Sequence, residues 1–451
     1  MGRTPLERAL SAARDTRRLE LGPGVLSTAP QIFKELFPTR PMLIVSDEAT
    51  FEVAGKAVLK YFQSSGQQCF DPFIYQDPKL YAEHAFVLSL EDALRGNEAI
   101  PIAVGAGTIN DLTKLAASRQ GRPYMAVATA ASMDGYTAFG ASITYKGSKQ
   151  TFACPAPQAA IADIDVIRNA PAEMTASGYA DLLAKITAGA DWIIADALDI
   201  EPIHADAWGI VQGNLRQAIS DPGAIREKNS AAILRLTEGL LLGGFAMQAA
   251  QSSRAASGAE HQFSHLWDMQ HHTFQGETPS HGFKVGIGTL AVAALYEYLL
   301  EHPMGTLEVE RCCNAWPDLE TIEGTIRELF PPGELAEKAI EETRAKHPDT
   351  LKLRSQLQRL IDAWPELKER LSEQLIAFAE LKHMLGAAGA PNEPAQIGIS
   401  VQRLRKSFYQ ATYIRRRFTV LDLALRTGLL EPALEFLFGK EGVWPPGTPD
   451  F

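Results

Sequence analysis

The sequence predicts an α/β N-terminal domain with a mostly parallel sheet, followed by an all-α C-terminal domain. Up to about residue 165, short apolar runs alternate with segments of helical period, which is the pattern of parallel β–α units. From Pro171 to Leu385 nearly every segment has helical period instead. A cluster of histidines lies within that helical part. We therefore expect two domains, residues 1–165 and 166–451.

Alternating strands and helices account for the first domain. Residues 5–18 have an amphipathic helical pattern, and GPGVLS predicts a turn and a strand after them. Segments of helical period separate the apolar runs that follow, and the helix within 105–121 opens at a glycine turn. The apolar runs predict four further strands of a buried parallel sheet, at 41–47, 69–75, 99–105 and 123–132.

Proline and glycine divide the second domain, because both residues end helices. The charged stretch 334–382 predicts solvated surface helices, and residues 386–430 predict a loop followed by two helices. The consecutive arginines 415–417 are expected to be exposed or salt-bridged rather than to bind nucleic acid. The predicted breaks are at Pro202, Pro222, Gly276–Pro279, Pro317, Pro331–Pro332, Pro348 and Pro365.

Composition favours a soluble intracellular protein. Of 451 residues, 54 are Asp or Glu and 43 are Lys or Arg, which gives a net charge of −11 and argues against nucleic acid or an anionic membrane as a partner. The N-terminus lacks the apolar core of a signal peptide, and the apolar run at 239–251 is too short to span a bilayer. The cysteines show no metal-ligand spacing and are expected to be reduced thiols of a cytoplasmic protein: Cys69, Cys154, Cys312 and Cys313.

Five of the ten histidines lie between Ser257 and Thr289. His261 and His265 are four residues apart, a spacing that puts both imidazoles on one helix face. Asp268 and His272 would extend that face, and His281 follows a Gly-Glu-Thr-Pro turn. Such a set favours a divalent metal or an active site over a merely polar helix face. The spacing leaves open which histidines bind, and it is not the HExxH pattern of metalloproteases.

A second candidate site is the glycine turn Gly105-Ala106-Gly107-Thr108, between a predicted strand and a predicted helix. Backbone N–H groups at such a junction, together with the helix dipole, can hold a pyrophosphate. The turn lacks the third glycine of the GxGxxG pattern, and an ordinary turn would look the same. Asp47 ends an earlier strand, where a carboxylate could bind a ribose or cap the next helix.

Two acids could complete a site. Asp134 lies in SMDGY at the end of the fourth strand, an edge where ligands bind in α/β sheets and where simple turns also occur. Asp181 lies in ASGYADLLAKITAGADW, a helix of small residues in which an inward-facing acid needs a partner. Asp181 could be a third metal ligand beside two histidines or a surface residue.

These motifs resemble those of one family. VGAGTINDLTK, TAASMDGYTAFGASI, IADIDVIRNAPAEM, SGYADLLAKITAGADW, SGAEHQFSH and HGFKVGIGT occur in order over roughly residues 40–300. Together they resemble the sn-glycerol-1-phosphate dehydrogenases, within the superfamily of iron-containing alcohol dehydrogenase, glycerol dehydrogenase and dehydroquinate synthase. The tail, GAPNEPAQIGIS followed by YIRRRFTVLDLA, resembles the bacterial branch.

The resemblance implies a dehydroquinate synthase-like fold, with a nucleotide-binding α/β domain, a helical domain and the site in the cleft between them. It implies metal ligation by Asp181, His261 and His281. It places His265 and Asp134 at the substrate as catalytic residues, with Asp181 also near the substrate. For the dinucleotide, it implies contacts from Gly105, Ala106, Gly107, Thr108, Ile109, Thr129 and Ala130, beside the Asp47 suggested above.

The chain departs from the family at two positions near the fourth strand. Ala131 stands where members often have Pro, and Ala138 stands where members often have Ser. The serine is associated with the dinucleotide, so its absence bears on cofactor binding. A metal- or nucleotide-binding protein without turnover is therefore one alternative.

The implied activity is reduction of dihydroxyacetone phosphate to sn-glycerol 1-phosphate, for phospholipid biosynthesis. The expected cofactors are NAD(P) and one divalent metal ion (zinc, nickel or iron), and Asp47 predicts a preference for NADH. The expected assembly is a homo-oligomer, a dimer or larger, without nucleic acid or membrane. Lys284 and Lys149 are candidate phosphate donors. The enzymatic alternatives are a dehydrogenase of an unphosphorylated polyol and a lyase or cyclase like dehydroquinate synthase.

Overall fold

The computed structural model describes residues 4–145 and 148–447. Within these residues a sheet of six parallel strands has the order β1-β8-β5-β4-β2-β3, and β6 and β7 form a separate antiparallel hairpin. The strands are β1 (Arg18–Gly22), β2 (Met42–Asp47), β3 (Phe73–Tyr75), β4 (Ile100–Gly105), β5 (Met125–Ala128), β6 (Ala141–Tyr145), β7 (Ser148–Phe152) and β8 (Ala159–Asp163).

The described residues also contain α-helices, which are given in two groups along the chain. The first group is α1 (Pro5–Ala12), α2 (Ala29–Leu36), α3 (Glu48–Thr50), α4 (Lys56–Ser64), α5 (His84–Arg95), α6 (Gly107–Arg119), α7 (Ile164–Ile167), α8 (Ala172–Leu183), α9 (Lys185–Ala197), α10 (Ala205–Gln212), α11 (Leu215–Ala218) and α12 (Pro222–Arg226). The second group is α13 (Ser230–Ala250), α14 (Ala259–Met269), α15 (His281–Glu301), α16 (Val309–Ala315), α17 (Leu319–Leu329), α18 (Glu334–Lys346), α19 (Thr350–Gln374), α20 (Phe378–Ala387), α21 (Val401–Tyr413), α22 (Val420–Arg426) and α23 (Leu430–Leu437).

The sheet is buried on both faces. Alternate residues of β2 enter two different cores, because successive side chains of a strand point to opposite faces. Leu43 and Val45 pack with the inner faces of α5 and α6, whereas Ile44 packs with those of α2 and α4. The continuous apolar sequences of the central strands follow from this double burial. Because β2, β4 and β5 pair in parallel, their carboxyl ends lie at one edge of the sheet.

The predicted α/β fold is confirmed, with local corrections. The strands expected at 41–47 and 99–105 are β2 and β4, and those at 69–75 and 123–132 are shorter, as β3 and β5. The helix expected over 5–18 ends at Ala12, because the backbone of Ala13 is already extended, and Arg18–Gly22 pairs with β8 as an edge strand. The strand sequence RLELG alternates between polar and apolar residues over only five positions. This pattern is too short to distinguish the strand from the helix before it. Strands β6, β7 and β8 were not predicted.

The helical part contains a proline and an arginine cluster for which the sequence made definite predictions. The break expected at Pro365 is wrong, because α19 continues through that residue. Proline removes one backbone donor, but a stripe of buried apolar side chains holds the helix on both sides of it: Leu353, Leu357, Leu360, Trp364, Leu367 and Leu371. Of the three arginines expected to be exposed or salt-bridged, Arg416 is exposed and forms ion pairs with Glu341 and Glu342.

The chain forms two compact units. One comprises Met1–Leu182, Ala205–Ala256 and Ala387–Gly389, and the other comprises Leu183–His204, Ser257–Gly386 and Ala390–Phe451. The division at residue 165 remains a prediction about domains. Among the described residues, two helices, α13 and α15, are long and apolar enough to cross a membrane, but 67% and 78% of their apolar windows are buried inside the protein. Both are therefore core helices.

Candidate active site

Three side chains that can bind a metal ion meet in the structure. Each of Asp181, His261 and His281 offers a ligand atom, and these atoms all lie within 4.8 Å of one another. Asp181 is fully buried, His261 is 6% exposed and His281 is half-buried. One carboxylate and two imidazoles suit zinc or iron, bound at about 2.0–2.2 Å. The chemistry of this donor set therefore fits a divalent ion.

Helices α14 and α15 present the two histidines. His261 lies in the first turn of α14, and His281 is the first residue of α15, which is capped by Ser280 Oγ accepting from Phe283 N at 3.3 Å. The helices approach closely, because a Cβ at Gly288 of α15 would lie only 2.4 Å from the Glu260 carbonyl oxygen. The centroids of the His261 and His281 rings are consequently 5.3 Å apart.

A buried carboxylate beside His261 was not foreseen from the sequence. Glu260 is 0% exposed, and its Oε1 lies 2.8 Å from His261 Nδ1. Burial alone would raise the pKa of Glu260, but hydrogen bonds from His261 and from backbone N–H groups outweigh it and hold that pKa below its usual value. In the sequence, the signal for this role was an acidic residue directly before the first histidine of the cluster.

A second buried acid fixes the start of α14. Asp191 of α9 is 0% exposed and accepts hydrogen bonds from Ala259 N at 2.7 Å, Tyr296 Oη at 2.6 Å and Val420 N at 2.9 Å. One carboxylate thus joins the first turn of α14 to α15 and α22. This residue lies ten positions after Asp181 in the same motif, and the sequence offered no further sign of its role.

The remaining histidines separate into different environments. The ring centroid of His265 lies 6.3 Å from those of His261 and His281, so His265 is beside the three-residue cluster and half-buried. The expectation that His272 extends the helix face is wrong, because α14 ends at Met269. His272 instead bonds to the Ile397 carbonyl oxygen at 2.6 Å. His271 is exposed at a positive φ of 51°.

The candidate phosphate lysines lie in different surroundings. Lys284 is 2% exposed and forms an ion pair with Asp268, so its charge is already balanced. Asp268, which was expected on the histidine face of the helix, is the partner of Lys284 in this ion pair. Lys149 lies on β7 and is half-buried. Burial raises the pKa of Asp111 of α6, and the positive charge of Lys149 partly opposes this shift. Because Lys284 is buried and paired with Asp268, the structure does not support it as a donor for a substrate phosphate.

The glycine turn lies at the carboxyl edge of the sheet, as predicted. Gly105 ends β4, Ala106 occupies the N-cap position of α6 and Gly107 begins the helix, so the helix N-terminus faces this edge. Two positions of this turn have room only for glycine. A Cβ at Gly105 would lie 2.5 Å from the Ile109 side chain, and one at Gly107 would lie 2.8 Å from Met133 Cε. Thr108 follows in the first turn.

The neighbouring strands bring the other predicted dinucleotide residues to the same edge. Thr129 follows β5, and its N–H donates to the Gly105 carbonyl oxygen at 3.2 Å. The Ala130 carbonyl oxygen accepts from Tyr136 Oη at 2.7 Å. Asp47 ends β2, which pairs with β4, and caps α3 by accepting from Thr50 N at 2.7 Å. The capping interpretation of Asp47 is thus observed, with Oδ1 as the capping atom.

The turn containing Asp134 is fixed by its neighbours. The Asp134 N–H donates to Asp181 Oδ2 at 3.1 Å. Close approach to α13 requires glycine, because a Cβ at Gly244 would lie 2.8 Å from the Asp134 carbonyl oxygen. On α8, a Cβ at Gly178 would lie 1.9 Å from the Ala131 carbonyl oxygen. The helix that bears Asp181 therefore contacts the segment leading to Asp134.

Lys114 of α6 holds the same turn from the other side. Its side chain is buried, and Nζ donates to the carbonyl oxygens of Gly135, Ala138 and Gly140 at 3.0, 3.0 and 2.9 Å. The sequence showed this lysine only as part of the motif VGAGTINDLTK. It connects the helix of the glycine turn to the Asp134 turn.

The two positions that depart from the family are both buried alanines. Ala131 is 1% exposed, and Ala138 is 5% exposed in a small apolar cluster with Met247 and Ala256.

A cavity of about 170 Å³ lies apart from the residues predicted for the site, at the N-terminal end of α8. Its lining residues are Ala172, Glu173, Thr175, Ile225, Arg226, Lys228, Ala388 and Gly389.

Comparisons with known proteins give a consistent picture. Residues 20–171 match the family model described as iron-containing alcohol dehydrogenase. Glycerol-1-phosphate dehydrogenase [NAD(P)+] of Halalkalibacterium halodurans is 34% identical over 62% of this chain and 70% of the relative. The enzyme of that name from Bacillus velezensis is 33% identical over 69% of this chain and 82% of the relative.

A solved structure shows the same fold. The iron-containing alcohol dehydrogenase of Thermococcus thioreducens superimposes with a TM-score of 0.56 at 15% identity, over 93% of this chain and 98% of the other. At this level of identity the likeness concerns the fold, not the substrate.

Proposed function

Because the chain belongs to the glycerol-1-phosphate dehydrogenase family, we propose that it reduces dihydroxyacetone phosphate to sn-glycerol 1-phosphate with NAD(P)H. Membership makes it an NAD(P)-dependent oxidoreductase acting on CH–OH groups. The observation that supports the proposed reaction best is the cluster of Asp181, His261 and His281, with the Asp134 turn bonded to Asp181. The family also implies NAD(P) and a divalent metal as cofactors.

We assign Asp181, His261 and His281 as the metal ligands. Three protein ligands leave coordination positions open, as catalytic sites require. When bound there, the ion supplies Lewis-acid polarisation of a substrate oxygen. The two imidazoles bind as neutral ligands, so the protein contributes the single negative charge of Asp181 directly.

His265 and Asp134 are assigned to the substrate, together with Asp181. His265 is half-buried beside both histidine ligands, and its imidazole can give a proton to the product oxygen or take one from it. Asp134 is half-buried, and its backbone is fixed by Asp181. Its carboxylate can orient a substrate hydroxyl by accepting a hydrogen bond.

The dinucleotide is assigned to the carboxyl edge of the sheet. The N–H groups at the start of α6, from Gly105 to Ile109, are oriented to bind a pyrophosphate. Thr129 and Ala130 follow the adjacent strand and would lie near the nucleotide, and Asp47 at the end of β2 could accept hydrogen bonds from the ribose. The nicotinamide supplies the redox chemistry, and these residues supply its position.

The proposal extends to the cellular setting. We place the enzyme in the cytoplasm, as a homo-oligomer that supplies phospholipid biosynthesis with sn-glycerol 1-phosphate. Residues 1–165 would bind the dinucleotide and residues 166–451 the metal and substrate. The acidic composition, with a net charge of −11, supports a small-molecule substrate over nucleic acid.

One assay tests the reaction. NADH and NADPH oxidation is followed with dihydroxyacetone phosphate and with dihydroxyacetone, for protein loaded separately with zinc, nickel and iron. We expect stoichiometric oxidation with the phosphorylated ketone, and chiral analysis of the product should give sn-glycerol 1-phosphate. A preference for free dihydroxyacetone would indicate a polyol dehydrogenase. Turnover of another substrate without net NADH consumption would indicate a lyase or cyclase and would overturn the proposal.

A further inference from the structure

We propose that Glu260 is a positioning residue for the metal site, which orients His261 through Nδ1 so that Nε2 is the nitrogen presented to the ion. This inference rests on the metal site proposed above and extends it to a residue that does not bind the ion. The residue lies next to His261 in the sequence, yet its carboxylate turns back to the ring of that neighbour.

The hydrogen bond determines the tautomer of His261. Glu260 Oε1 and His261 Nδ1 are 2.8 Å apart. An ionised carboxylate can only accept hydrogen bonds, so the hydrogen between the two atoms belongs to Nδ1. A neutral imidazole protonated at Nδ1 has its free lone pair on Nε2. The carboxylate therefore selects which ring nitrogen can bind a cation.

The carboxylate is itself fixed from two directions. Thr187 of α9 donates from Oγ1 to Glu260 Oε2 at 2.9 Å, and the Gly258 N–H donates to Oε1 at 2.5 Å. A Cβ at Gly258 would lie 2.9 Å from Oε2, so glycine is needed to admit the group. Both oxygens are satisfied although the side chain is fully buried. These two donors fix the carboxylate and leave Oε1 aimed at the ring.

His281, the second histidine ligand, has a weaker hydrogen-bond partner, Ser264, which lies on α14 like Glu260. Ser264 Oγ lies 3.4 Å from His281 Nδ1 and is a neutral hydroxyl. A charged partner makes a ligand imidazole more basic than a neutral partner does. The Glu260 interaction should therefore contribute more to metal affinity than the Ser264 interaction, although both residues lie on α14.

The test compares variants of the full-length protein after removal of metal. Zn²⁺ dissociation constants are measured by competition with a chromophoric chelator for wild type, Glu260→Gln, Thr187→Val and Ser264→Ala. Glu260→Gln preserves shape and can still accept from Nδ1, but it removes the charge. We expect its Zn²⁺ affinity to fall about 10- to 100-fold, the range for outer partners of metal ligands. Thr187→Val and Ser264→Ala should have smaller effects.

Ring-¹⁵N NMR of the histidines gives an independent readout without activity. In the metal-free wild type, we expect His261 to be protonated at Nδ1. His261→Ala serves as the reference for loss of the site, and thermal unfolding of each variant checks that it is folded. Should Glu260→Gln retain wild-type Zn²⁺ affinity while His261→Ala loses it, Glu260 is only a structural residue and the inference is wrong. If His261→Ala also retains it, the ligand assignment has failed as well.

Discussion

The backbone N–H of Asp134 donates a hydrogen bond to Oδ2 of Asp181 at 3.1 Å. This bond joins the turn after β5 to the fully buried acid of α8. A residue assigned to the substrate is thereby positioned by a residue assigned to the metal. Changes at Asp181 should consequently affect both functions, and changes at His265 should affect one.

The first prediction separates metal binding from turnover. His281→Ala and Asp181→Ala should each lose bound metal and activity, because each removes one of three ligands. His265→Ala should retain metal, measured by elemental analysis, and lose about 100-fold or more in kcat as expected for a missing acid–base group. Loss of metal from His265→Ala, with retention in His281→Ala, would contradict the assignment.

The second prediction concerns Lys114. Lys114→Met leaves the carbonyl oxygens of Gly135, Ala138 and Gly140 without their shared donor, so we expect a loss of about 2–4 kcal/mol in the free energy of unfolding. The kcat should fall about tenfold or more, because a shift of about 1 Å in a positioned group can cost 100-fold.

Thr113→Val is the matched control for Lys114. Thr113 is buried beside it on α6, but its hydroxyl donates only within the helix, to the Ile109 carbonyl oxygen at 2.7 Å. This variant should lose some stability and keep its kcat. Equal kcat values for the two variants would show that Lys114 supports the fold alone.

The third prediction concerns cofactor choice. Asp47 ends β2 beside the glycine turn and uses Oδ1 to cap α3. A carboxylate at this edge repels a 2′-phosphate, so we expect NADH to be preferred to NADPH in kcat/KM. Asp47→Ser retains a capping oxygen and should narrow or reverse the preference. A wild-type enzyme that favours NADPH would leave Asp47 as a helix cap only.

The sequence was sufficient for some of these features and insufficient for others. The HxxxH spacing placed His261 and His265 on one helix face, and the apolar runs placed the glycine turn at a strand end. Local pattern could not bring Asp181 to the histidines, since about eighty residues separate them and only packing joins them. The resemblance to a family supplied that contact.

Other features depend on neighbours that are distant in sequence. Glu260 becomes informative only once Thr187 of another helix lies against it. Lys114 is an unremarkable helical lysine until the turn after β5 folds over it. Pro365 shows the opposite case, in which a strong local rule is overridden by buried leucines on both sides.

The fourth prediction concerns acid stability. Burial raises the pKa of Glu342, but hydrogen bonds from Arg416 and Lys338 outweigh it and lower that pKa to about 2 from 4.5. Because the folded pKa is depressed, the stabilisation is fully present above about pH 4.5 and is lost as the pH falls towards 2. Glu342→Gln should lose about 1–2 kcal/mol at pH 7, a modest value because Arg416 is exposed.

Unfolding by urea at several pH values checks this assignment. The difference in stability between wild type and Glu342→Gln should shrink steadily from pH 4.5 downwards. Glu310→Gln is a suitable control, since its ion pair with Arg354 is exposed on both sides. A difference that stayed constant down to pH 2.5 would show that the charge of Glu342 is not responsible.

The last prediction concerns Ala138, where the family resemblance leads us to expect serine. Its side chain packs with Met247 and Ala256, and it is 5% exposed. An added hydroxyl would enter this apolar cluster, so Ala138→Ser should lower the free energy of unfolding by about 1–3 kcal/mol, the cost of burying an unpaired hydroxyl. The dissociation constant for NADH, measured by fluorescence, should not change. Tighter NADH binding by Ala138→Ser would instead mean that the hydroxyl reaches the dinucleotide, and that this chain binds its cofactor with one hydrogen bond fewer than its relatives.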